Sequence, residues 1–420
     1  MKALALIDGE HYAEVVVDAL REVPYEVVGA VALGGTEKLR GGEDYGVPLF
    51  ESLADGLARS GAELVIDLSD EPVVTARDRF RLASQTLAAG LPYAGADFRF
   101  DPVVFAPLDA PALAVIGAGK RVGKTAVAGH VARLLSQTRD VVVVAMGRGG
   151  PPEPVVVEEP PGLDDLLARS RAGSHAASDY LEDAALARVV TIGARRCGGG
   201  LAGAPFTSNV EEAARIAAER RPDLVLLEGS GTAIPPVEAG ATVLVAGAAQ
   251  DPALVAGYLG AYRVLLADLV VITGGDSDAL RRAIDDVKPG VPMIATRFRP
   301  APAEPVSGRR IAVFTTAPAG AHDALREELE RDHGADVALV SGNLGRRDAL
   351  RADLQGVDAE VFLVEIKAAA IDVVAEAAAG RGAKVVFLDN AIEPLPGEPD
   401  LDAEVIRLAD EAARLAGAAR

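Results

Sequence analysis

The amino-acid sequence predicts an α/β protein of three units, in which the central unit holds a parallel sheet and both outer units are Rossmann-like. Short apolar runs alternate with amphipathic stretches along the whole chain, a pattern typical of parallel strands connected by helices. Two proline-containing stretches, 97–111 and 299–305, break this alternation and mark boundaries. Half of the 420 residues are apolar and a quarter are charged, so the chain is globular and long enough for about two to four domains.

The positions of the apolar runs predict the individual elements. In the N-terminal unit, residues 1–108, we expect strands at 2–7, 26–32 and 63–68 and helices near 11–22, 51–60 and 75–89. In the central unit, residues 109–299, we expect strands at 112–116, 141–146, 223–227, 241–246, 269–273 and 291–295. Residues 299–305 contain three prolines, which predicts a stiff linker. In the C-terminal unit, residues 306–420, we expect strands at 310–315, 335–340, 359–365 and 383–388 and a helix at 402–417.

The charge and the cysteine content exclude several classes of protein. The chain has 62 acidic and 42 basic residues and a net charge of −20, which argues against general binding of nucleic acid or anionic membranes. Its single cysteine excludes an intrachain disulfide framework and fits a reducing compartment. No apolar run is long enough for a signal peptide or a membrane span, so we expect a cytoplasmic protein. Its size and apolar content suggest a homodimer.

A phosphate-binding loop opens the central unit. Residues 115–127 read VIGAGKRVGKTAV, between a predicted strand and a predicted helix, which is the context of a Walker A loop; Ala118 stands at its first glycine position. Glycines allow backbone N–H groups to surround a phosphate, while Lys124 reaches the β- and γ-phosphates and Thr125 binds Mg²⁺. This pattern predicts a P-loop NTPase domain. Its expected nucleotide-binding residues are Gly117, Gly119, Val122, Gly123, Lys124, Thr125 and Ala126.

A second strand end supplies a carboxylate for the metal. The predicted strand 223–227 ends at Glu228, before Gly-Ser-Gly, and ligands of α/β sheets gather at the carboxyl ends of strands. Glu228 is therefore predicted to hold Mg²⁺ together with Thr125. A later strand ends in Thr-Gly-Gly-Asp at 273–276 and lacks the Asn-Lys-x-Asp that reads guanine, so ATP is the expected nucleotide.

Two family resemblances appear at these residues. Val-Gly-Lys-Thr at 122–125 with Glu-Gly-Ser-Gly at 228–231 resembles the nucleotide core of dethiobiotin synthetase, a P-loop family that activates acids with ATP. A closer resemblance, to cyclic 2,3-diphosphoglycerate synthetase, covers the whole chain. It rests on the segments 6–12, 117–125, 146–151, 196–200 and 365–370. This resemblance implies that ATP drives the joining of the two phosphates of 2,3-diphosphoglycerate into an intramolecular anhydride, with ADP and phosphate released.

Other functions of a P-loop core stay open from the sequence alone. One alternative is another ATP-dependent ligase or kinase of the dethiobiotin synthetase type that acts on a different small acid. A non-metabolic switch ATPase is a further class, but such proteins usually place a lysine second in the loop, where this chain has Gly119. A monovalent cation such as K⁺ is a candidate cofactor that the sequence does not reveal.

A substrate with two phosphates and a carboxylate carries a charge of about −5, because each phosphate monoester carries about −1.5 to −2. Such a substrate needs a basic pocket, and arginine binds phosphate with two aligned donors. Arg148 follows the strand 141–146, and Arg195 and Arg196 are expected in a glycine-rich turn. The expected catalytic residues are Lys120, Lys124, Arg148 and Arg196.

The N-terminal unit also presents charged residues at strand ends. Asp8, Glu10 and His11 follow its first strand and Lys38 follows its second, which is the edge where α/β sheets bind ligands. We therefore expect this unit to cover the active site. The full set of expected substrate-binding residues is Asp8, Glu10, His11, Lys38, Arg148, Arg195 and Arg196.

The segment 174–183 concentrates polar residues and has two interpretations. Asp179 and Glu182, three residues apart, would share one face of a helix that forms a lid or lies beside the substrate. Equally, the segment could form a surface helix that is capped by Ser178.

Overall fold

The structure is a computed structural model that describes residues 1–171, 179–366 and 371–418. The predicted N-cap Ser178 and the end of the resemblance segment at 367–370 lie outside these residues. The predicted α/β class is confirmed, with largely parallel sheets throughout. None of the helices within the described ranges combines the length and the apolar character that crossing a bilayer requires.

The N-terminal unit is a six-stranded sheet of order β3-β2-β1-β4-β5-β6, in which only the β5–β6 pair is antiparallel. It contains β1 (Lys2–Ile7), α1 (Ala13–Glu22), β2 (Glu26–Ala32), β3 (Leu49–Phe50), α2 (Leu53–Arg59), β4 (Leu64–Asp67), α3 (Ala76–Ala88), β5 (Tyr93–Ala94) and β6 (Arg99–Phe100). Strand β1 is buried on both faces, which is why its sequence is apolar without alternation.

The central unit contains the phosphate loop and most of a second sheet. It consists of β7 (Ala112–Gly117), α4 (Lys124–Leu135), β8 (Val141–Gly147), β9 (Val155–Val157), α5 (Leu163–Arg171), α6 (Asp179–Ala187), β10 (Val190–Cys197), β11 (Thr207–Ser208), α7 (Val210–Glu219), β12 (Leu224–Glu228), β13 (Ala241–Gly247), α8 (Pro252–Val255), α9 (Gly260–Leu266), β14 (Leu269–Thr273), α10 (Asp278–Asp285) and β15 (Met293–Pro302). The strand order β10-β8-β12-β7-β13-β14-β15 puts the phosphate-loop strand β7 between β12 and β13. Six of the seven strands in this order were predicted, but β10 was not.

The C-terminal unit continues the same sheet. It consists of β16 (Arg310–Phe314), α11 (His322–His333), β17 (Asp336–Ser341), α12 (Arg347–Asp353), β18 (Val361–Val364), α13 (Ile371–Ala379), β19 (Lys384–Pro394) and α14 (Leu401–Ala418). The predicted stiff linker at 299–305 is wrong, because β15 runs through Pro302 and pairs antiparallel with β19 from Thr296 onwards. The sheet therefore has thirteen strands in the described part of the chain and passes from one unit into the next without a break.

The N-terminal unit packs on the central unit through α3 and α9. Helix α3 begins at a capping box, in which the Thr75 side chain accepts a hydrogen bond from the Asp78 N–H and the Asp78 carboxylate accepts one from the Thr75 N–H. The Ser84 hydroxyl donates to the Tyr258 carbonyl oxygen at 3.2 Å, and the Phe80 and Tyr258 rings meet edge to face at 5.4 Å. These contacts fix the N-terminal unit on the side of the central sheet that carries α9.

Candidate functional site: a phosphate loop faced by two arginines

The phosphate loop joins β7 to α4, and its glycines Gly117 and Gly123 are packed closely against neighbouring segments. Gly123, the N-cap of α4, has a φ of 79°, and a Cβ there would lie 2.4 Å from the Phe298 ring. A Cβ on Gly117 would lie 2.6 Å from the carbonyl oxygen of Gly231, in the loop after β12. The loop is thus packed directly against the segment that follows Glu228.

Lys124 and Glu228 form an ion pair at the base of this loop. The Lys124 ammonium group donates to Glu228 Oε1, and their side chains are 8% and 0% exposed. Burial alone would lower the pKa of Lys124, but the charges of Glu228 and Asp179 outweigh it and raise that pKa. Burial opposes ionisation of Glu228, and the neighbouring ammonium overcomes it and lowers the pKa of Glu228. The geometry places the predicted lysine and the predicted carboxylate together.

Asp183, on α6, completes the buried charge cluster and was not among the predicted site residues. Asp183 Oδ2 and Glu228 Oε2 are both buried without a hydrogen-bond partner in the described structure. Burial raises the pKa of Asp183 well above its usual value, and the adjacent Glu228 charge raises it further. Two facing carboxylates with free, buried oxygens are what a divalent cation would bridge.

Helix α6 is therefore a site element, and the surface-helix interpretation of segment 174–183 is wrong for the described part. Tyr180, Leu181, Glu182 and Asp183 are all buried. The Asp179 charge acts on both Lys124 and Arg196, so the start of the helix lies at the phosphate loop. The sequence signal was the pair Asp179 and Asp183, which share a helix face at i, i+4.

Arg148 and Arg196 meet above Gly231. A Cβ built on Gly231 would lie 3.3 Å from Arg148 Nη2 and 3.7 Å from Arg196 Nη2. Burial lowers the pKa of Arg196, and the charge of Arg148 lowers it further. Since Gly231 also touches Gly117, the two guanidinium groups and the phosphate loop face one region, as the sequence analysis expected.

Arg196 is held by the backbone of two loops. Its Nη1 donates to the Gly198 carbonyl at 2.6 Å and its Nη2 to the Ser230 carbonyl at 2.8 Å. Its Nε is buried without a hydrogen-bond partner in the described structure, and one N–H on each terminal nitrogen is not committed to these bonds. Arg196 can therefore hold its loops and bind an anion at the same time.

Arg195 differs from its neighbour because of strand geometry. The prediction of a glycine-rich turn at this position is wrong: both arginines belong to strand β10, directly before its last residue, Cys197. Successive residues of a strand point to opposite faces, so Arg196 is buried and Arg195 is exposed. Lys120 is exposed in the phosphate loop.

The remaining residues of the loop are tied to the neighbouring strands. The Val122 carbonyl accepts a hydrogen bond from the Thr273 hydroxyl at 2.6 Å, and a Cβ on Gly119 would lie 2.5 Å from Gln250 Nε2. Ala126 is buried under the loop and Thr125 is half-buried. Gln250 was not predicted, because a lone glutamine after a strand carries no sequence signal of its own.

The predicted cluster of the N-terminal unit is bonded within that unit. Asp8 accepts hydrogen bonds from the Glu10 and Asp70 N–H groups at 2.9 and 2.6 Å, and His11 Nδ1 lies 2.9 Å from its carboxylate. Lys38 pairs with its neighbour Glu37. No hydrogen bond or ion pair among the described residues joins Asp8, Glu10, His11 or Lys38 to the phosphate loop.

Comparisons with known proteins indicate the same family in all three units of the chain. Three family models match: the N-terminal domain of cyclic 2,3-diphosphoglycerate synthetase at residues 2–101, its P-loop domain at 112–298 and its C-terminal domain at 302–391. The chain is 49% identical to the cyclic 2,3-diphosphoglycerate synthetase of Rubrobacter xylanophilus, over 99% of this chain and 98% of the relative. It is 43% identical to that of Thermococcus kodakarensis, over 96% and 98%.

A solved structure, LpxK of Aquifex aeolicus in complex with ATP, is 14% identical to this chain. It aligns with 74% of the chain and 90% of LpxK at a TM-score of 0.43, too low to support an argument. The family models and the relatives are decisive: this chain belongs to the cyclic 2,3-diphosphoglycerate synthetase family.

Proposed function

We propose that this chain is an enzyme that uses ATP to close 2,3-diphosphoglycerate into cyclic 2,3-diphosphoglycerate, with release of ADP and phosphate. The observation that carries the proposal is the meeting of Arg148 and Arg196 above Gly231, against the Gly117 end of the phosphate loop. A substrate with two phosphate groups needs cations in addition to those of the phosphate loop, and these two arginines supply a pair of them.

In this proposal the first step transfers the γ-phosphoryl group. A phosphate oxygen of the substrate attacks the γ-phosphorus, its new O–P bond forms as the bond to the β–γ bridging oxygen breaks, and ADP leaves. Lys124 would move from Glu228 to the β- and γ-phosphates, and the N–H groups of the loop would surround them. The nucleophile is already anionic, so the protein contributes positioning and neutralisation of charge and not a general base.

The second step closes the ring. An oxygen of the other substrate phosphate attacks the phosphorus that received the γ-phosphoryl group, and inorganic phosphate leaves as the cyclic anhydride forms. Arg148 and Arg196 would hold the two substrate phosphates close together against their mutual repulsion. Arginine suits this task because its planar donors bind phosphate in a fixed direction.

The residues around Thr125 fit a magnesium ion. The free, buried oxygens of Asp183 and Glu228 beside the Thr125 hydroxyl supply hard oxygen ligands, directly or through water. When bound, Mg²⁺ neutralises charge on the β- and γ-phosphate oxygens. Asp183 and Glu228 would keep that ion beside the loop, and Thr125 would complete its protein ligands.

Phosphorus NMR of the native protein with ATP, Mg²⁺ and 2,3-diphosphoglycerate tests the proposal. We expect two mutually coupled anhydride resonances to grow together with ADP and free phosphate. The matched control replaces the substrate with 3-phosphoglycerate, which has only one phosphate and cannot close a ring. ADP production that is indifferent to 2,3-diphosphoglycerate, or a phosphorylated product without ring closure, would refute the proposed reaction.

The other expectations about partners stay predictions. We propose a cytoplasmic enzyme that forms a homodimer and binds neither nucleic acid nor membranes. Sedimentation of the purified protein would test the dimer, and turnover with K⁺ replaced by Na⁺ would test the need for a monovalent cation. The roles of Lys120, Arg195 and the Asp8 cluster of the N-terminal unit also stay proposals.

A further inference from the structure

Helix α9 carries a buried arginine that has no carboxylate partner in the described part of the chain. Arg263 is 5% exposed and donates three hydrogen bonds, all to backbone carbonyl oxygens. Its Nε reaches Thr232 at 2.8 Å, its Nη1 reaches Leu259 at 3.0 Å and its Nη2 reaches Leu201 at 3.2 Å. Burial lowers its pKa to about 10, so the group is charged at neutral pH.

Two of the three acceptors of Arg263 lie on the two loops of the candidate site, and the third, Leu259, is the N-cap of α9 itself. Leu201 belongs to the loop 198–206 that follows β10, the strand that carries Arg196. Thr232 belongs to the loop 229–234 that follows Glu228, directly after Gly231. The Ile234 N–H also donates to the Gly203 carbonyl at 2.9 Å, so the two loops are in contact. Arg263 thus joins the backbone of both loops to one helix.

Arg196 bridges the same two loops at a second point, through Gly198 and Ser230. The two arginines are therefore two ties between one pair of loops. Arg196 faces the region where the substrate phosphates are expected, while the side chain of Arg263 extends from α9 into the protein interior. A cation without a counter-ion is costly to bury. The three carbonyl acceptors offset this cost, and a planar guanidinium group can reach all three at once.

We propose that Arg263 is a positioning residue: it fixes the two loops relative to each other, and thereby the spacing of Arg148 and Arg196 at the substrate phosphates. The inference rests on the proposed function. Arg263 does not touch the phosphate loop, so it acts on the substrate side of the site and leaves ATP binding unchanged. Its buried charge adds to the positive potential that a polyanion meets there.

Two variants test this inference. Arg263→Gln removes the charge, and Arg263→Lys keeps the charge but replaces the planar fork with a single ammonium group. We expect both to lower kcat/KM for 2,3-diphosphoglycerate by about tenfold or more, the equivalent of one lost hydrogen bond to a charged group. We expect the Kd of a non-hydrolysable ATP analogue, from calorimetry, to change less than about twofold, since the Lys124 loop is not altered.

A double variant separates positioning from general stability. If Arg263 acts through the loops that hold Arg196, adding Arg263→Gln to Arg196→Ala should cost little beyond Arg196→Ala alone. If Arg263 had a merely structural role, the losses of kcat/KM in the two single variants would multiply in the double variant. The matched control is Lys288→Gln, because Lys288 also donates to carbonyl oxygens of the α9 end, Leu265 and Ala267, but not to the loops. It should lower Tm and leave kcat/KM unchanged.

The outcomes are distinct. Each of three results would overturn the inference. The first is an equal loss of affinity for the substrate and for the ATP analogue. The others are multiplicative effects in the double variant and a normal kcat/KM in a folded Arg263→Lys protein. If neither Arg263 variant folds even with ATP and 2,3-diphosphoglycerate present, Arg263 is a folding residue and the inference is also wrong. A native protein that makes no cyclic product refutes the proposed function instead, whatever the variants do.

Discussion

Arg148→Ala should weaken substrate binding without weakening the fold. The Arg148 side chain is exposed, and no hydrogen bond or ion pair joins it to another residue within the described ranges. Another cation, Arg196, lies close to it, because both guanidinium groups lie within 4 Å of one point above Gly231. Removing Arg148 therefore removes this repulsion and no hydrogen bond or ion pair among the described residues.

Arg148→Ala is expected to affect stability and substrate binding in opposite directions. Relief of the repulsion is worth less than about 1 kcal/mol, since water screens the exposed group, so Tm should stay the same or rise slightly. A charged hydrogen bond to a substrate phosphate contributes about 1.5–3 kcal/mol, which corresponds to a Kd about 10- to 150-fold weaker. The substitution should therefore change the Kd for the substrate and leave Tm nearly unchanged.

Two measurements on one preparation check this. Calorimetry gives the Kd for 2,3-diphosphoglycerate in the presence of a non-hydrolysable ATP analogue, and thermal unfolding gives Tm without ligands. The matched control is Arg215→Ala, an exposed arginine on α7 whose ion pair with Glu219 lies on the surface. It should change neither quantity appreciably.

Several results would contradict the reasoning. A clear fall in Tm would mean that Arg148 makes stabilising contacts in the unliganded protein. An unchanged substrate Kd would remove Arg148 from the substrate site. An equal loss of affinity for the ATP analogue would mean that Arg148 serves the nucleotide and not the substrate, and the division of roles between the arginines and the phosphate loop would be wrong.

Three further predictions concern the buried charge cluster. Lys124→Ala should lower turnover by at least about 10²-fold, as for loss of one preorganised transition-state donor, and near-normal turnover would refute the P-loop assignment. Thr125→Ala and Glu228→Gln should raise the Mg²⁺ concentration needed for half-maximal turnover; an unchanged magnesium titration would exclude both as ligands. Asp183 has a raised pKa in the folded state, so its ionisation costs stability as pH rises above the unfolded value near 3.8. Asp183→Asn should therefore raise Tm without ligands, more at pH 8 than at pH 4.5, and a uniform fall in Tm would contradict this.

Much of the site was predictable because chemistry at strand ends leaves a local signature. A purely apolar run precedes the phosphate loop, Glu228 and Arg148 in each case. The sequence therefore predicted both the strand and the functional residues that follow it. Strand β10 was missed because its sequence mixes glycine and two arginines with only short apolar stretches. The position of Arg196 at the candidate site is fixed by strand pairing. Strand β10 pairs with β8 up to Arg195, and Arg196 and Cys197 pair with β11.

Other features depend on contacts that sequence does not show. The sequence left a substrate-side helix and a surface helix open for the segment of Asp183, and its burial follows from the packing of α6 against α4 and β8, which are distant in the sequence. The prolines of β15 suggested a linker. Pro300 and Pro302 are two residues apart, so both missing N–H groups fall on the edge of β15 that faces away from β19, where no hydrogen bond is lost.

The pairing of β15 with β19 also decides which fragments of this chain can be handled in isolation. A protein cut at residue 299 would lose its C-terminal neighbour and present β15 as an open edge, with unpaired N–H and C=O groups from Thr296 onwards. Such an edge is a template for association with other chains. The helix that starts at Lys124 would lose contacts as well, because Arg133 pairs with Asp389 at 2.7 Å and His130 lies 2.8 Å from Asp402. An isolated nucleotide-binding fragment should therefore aggregate, and a soluble one would have to extend through α14.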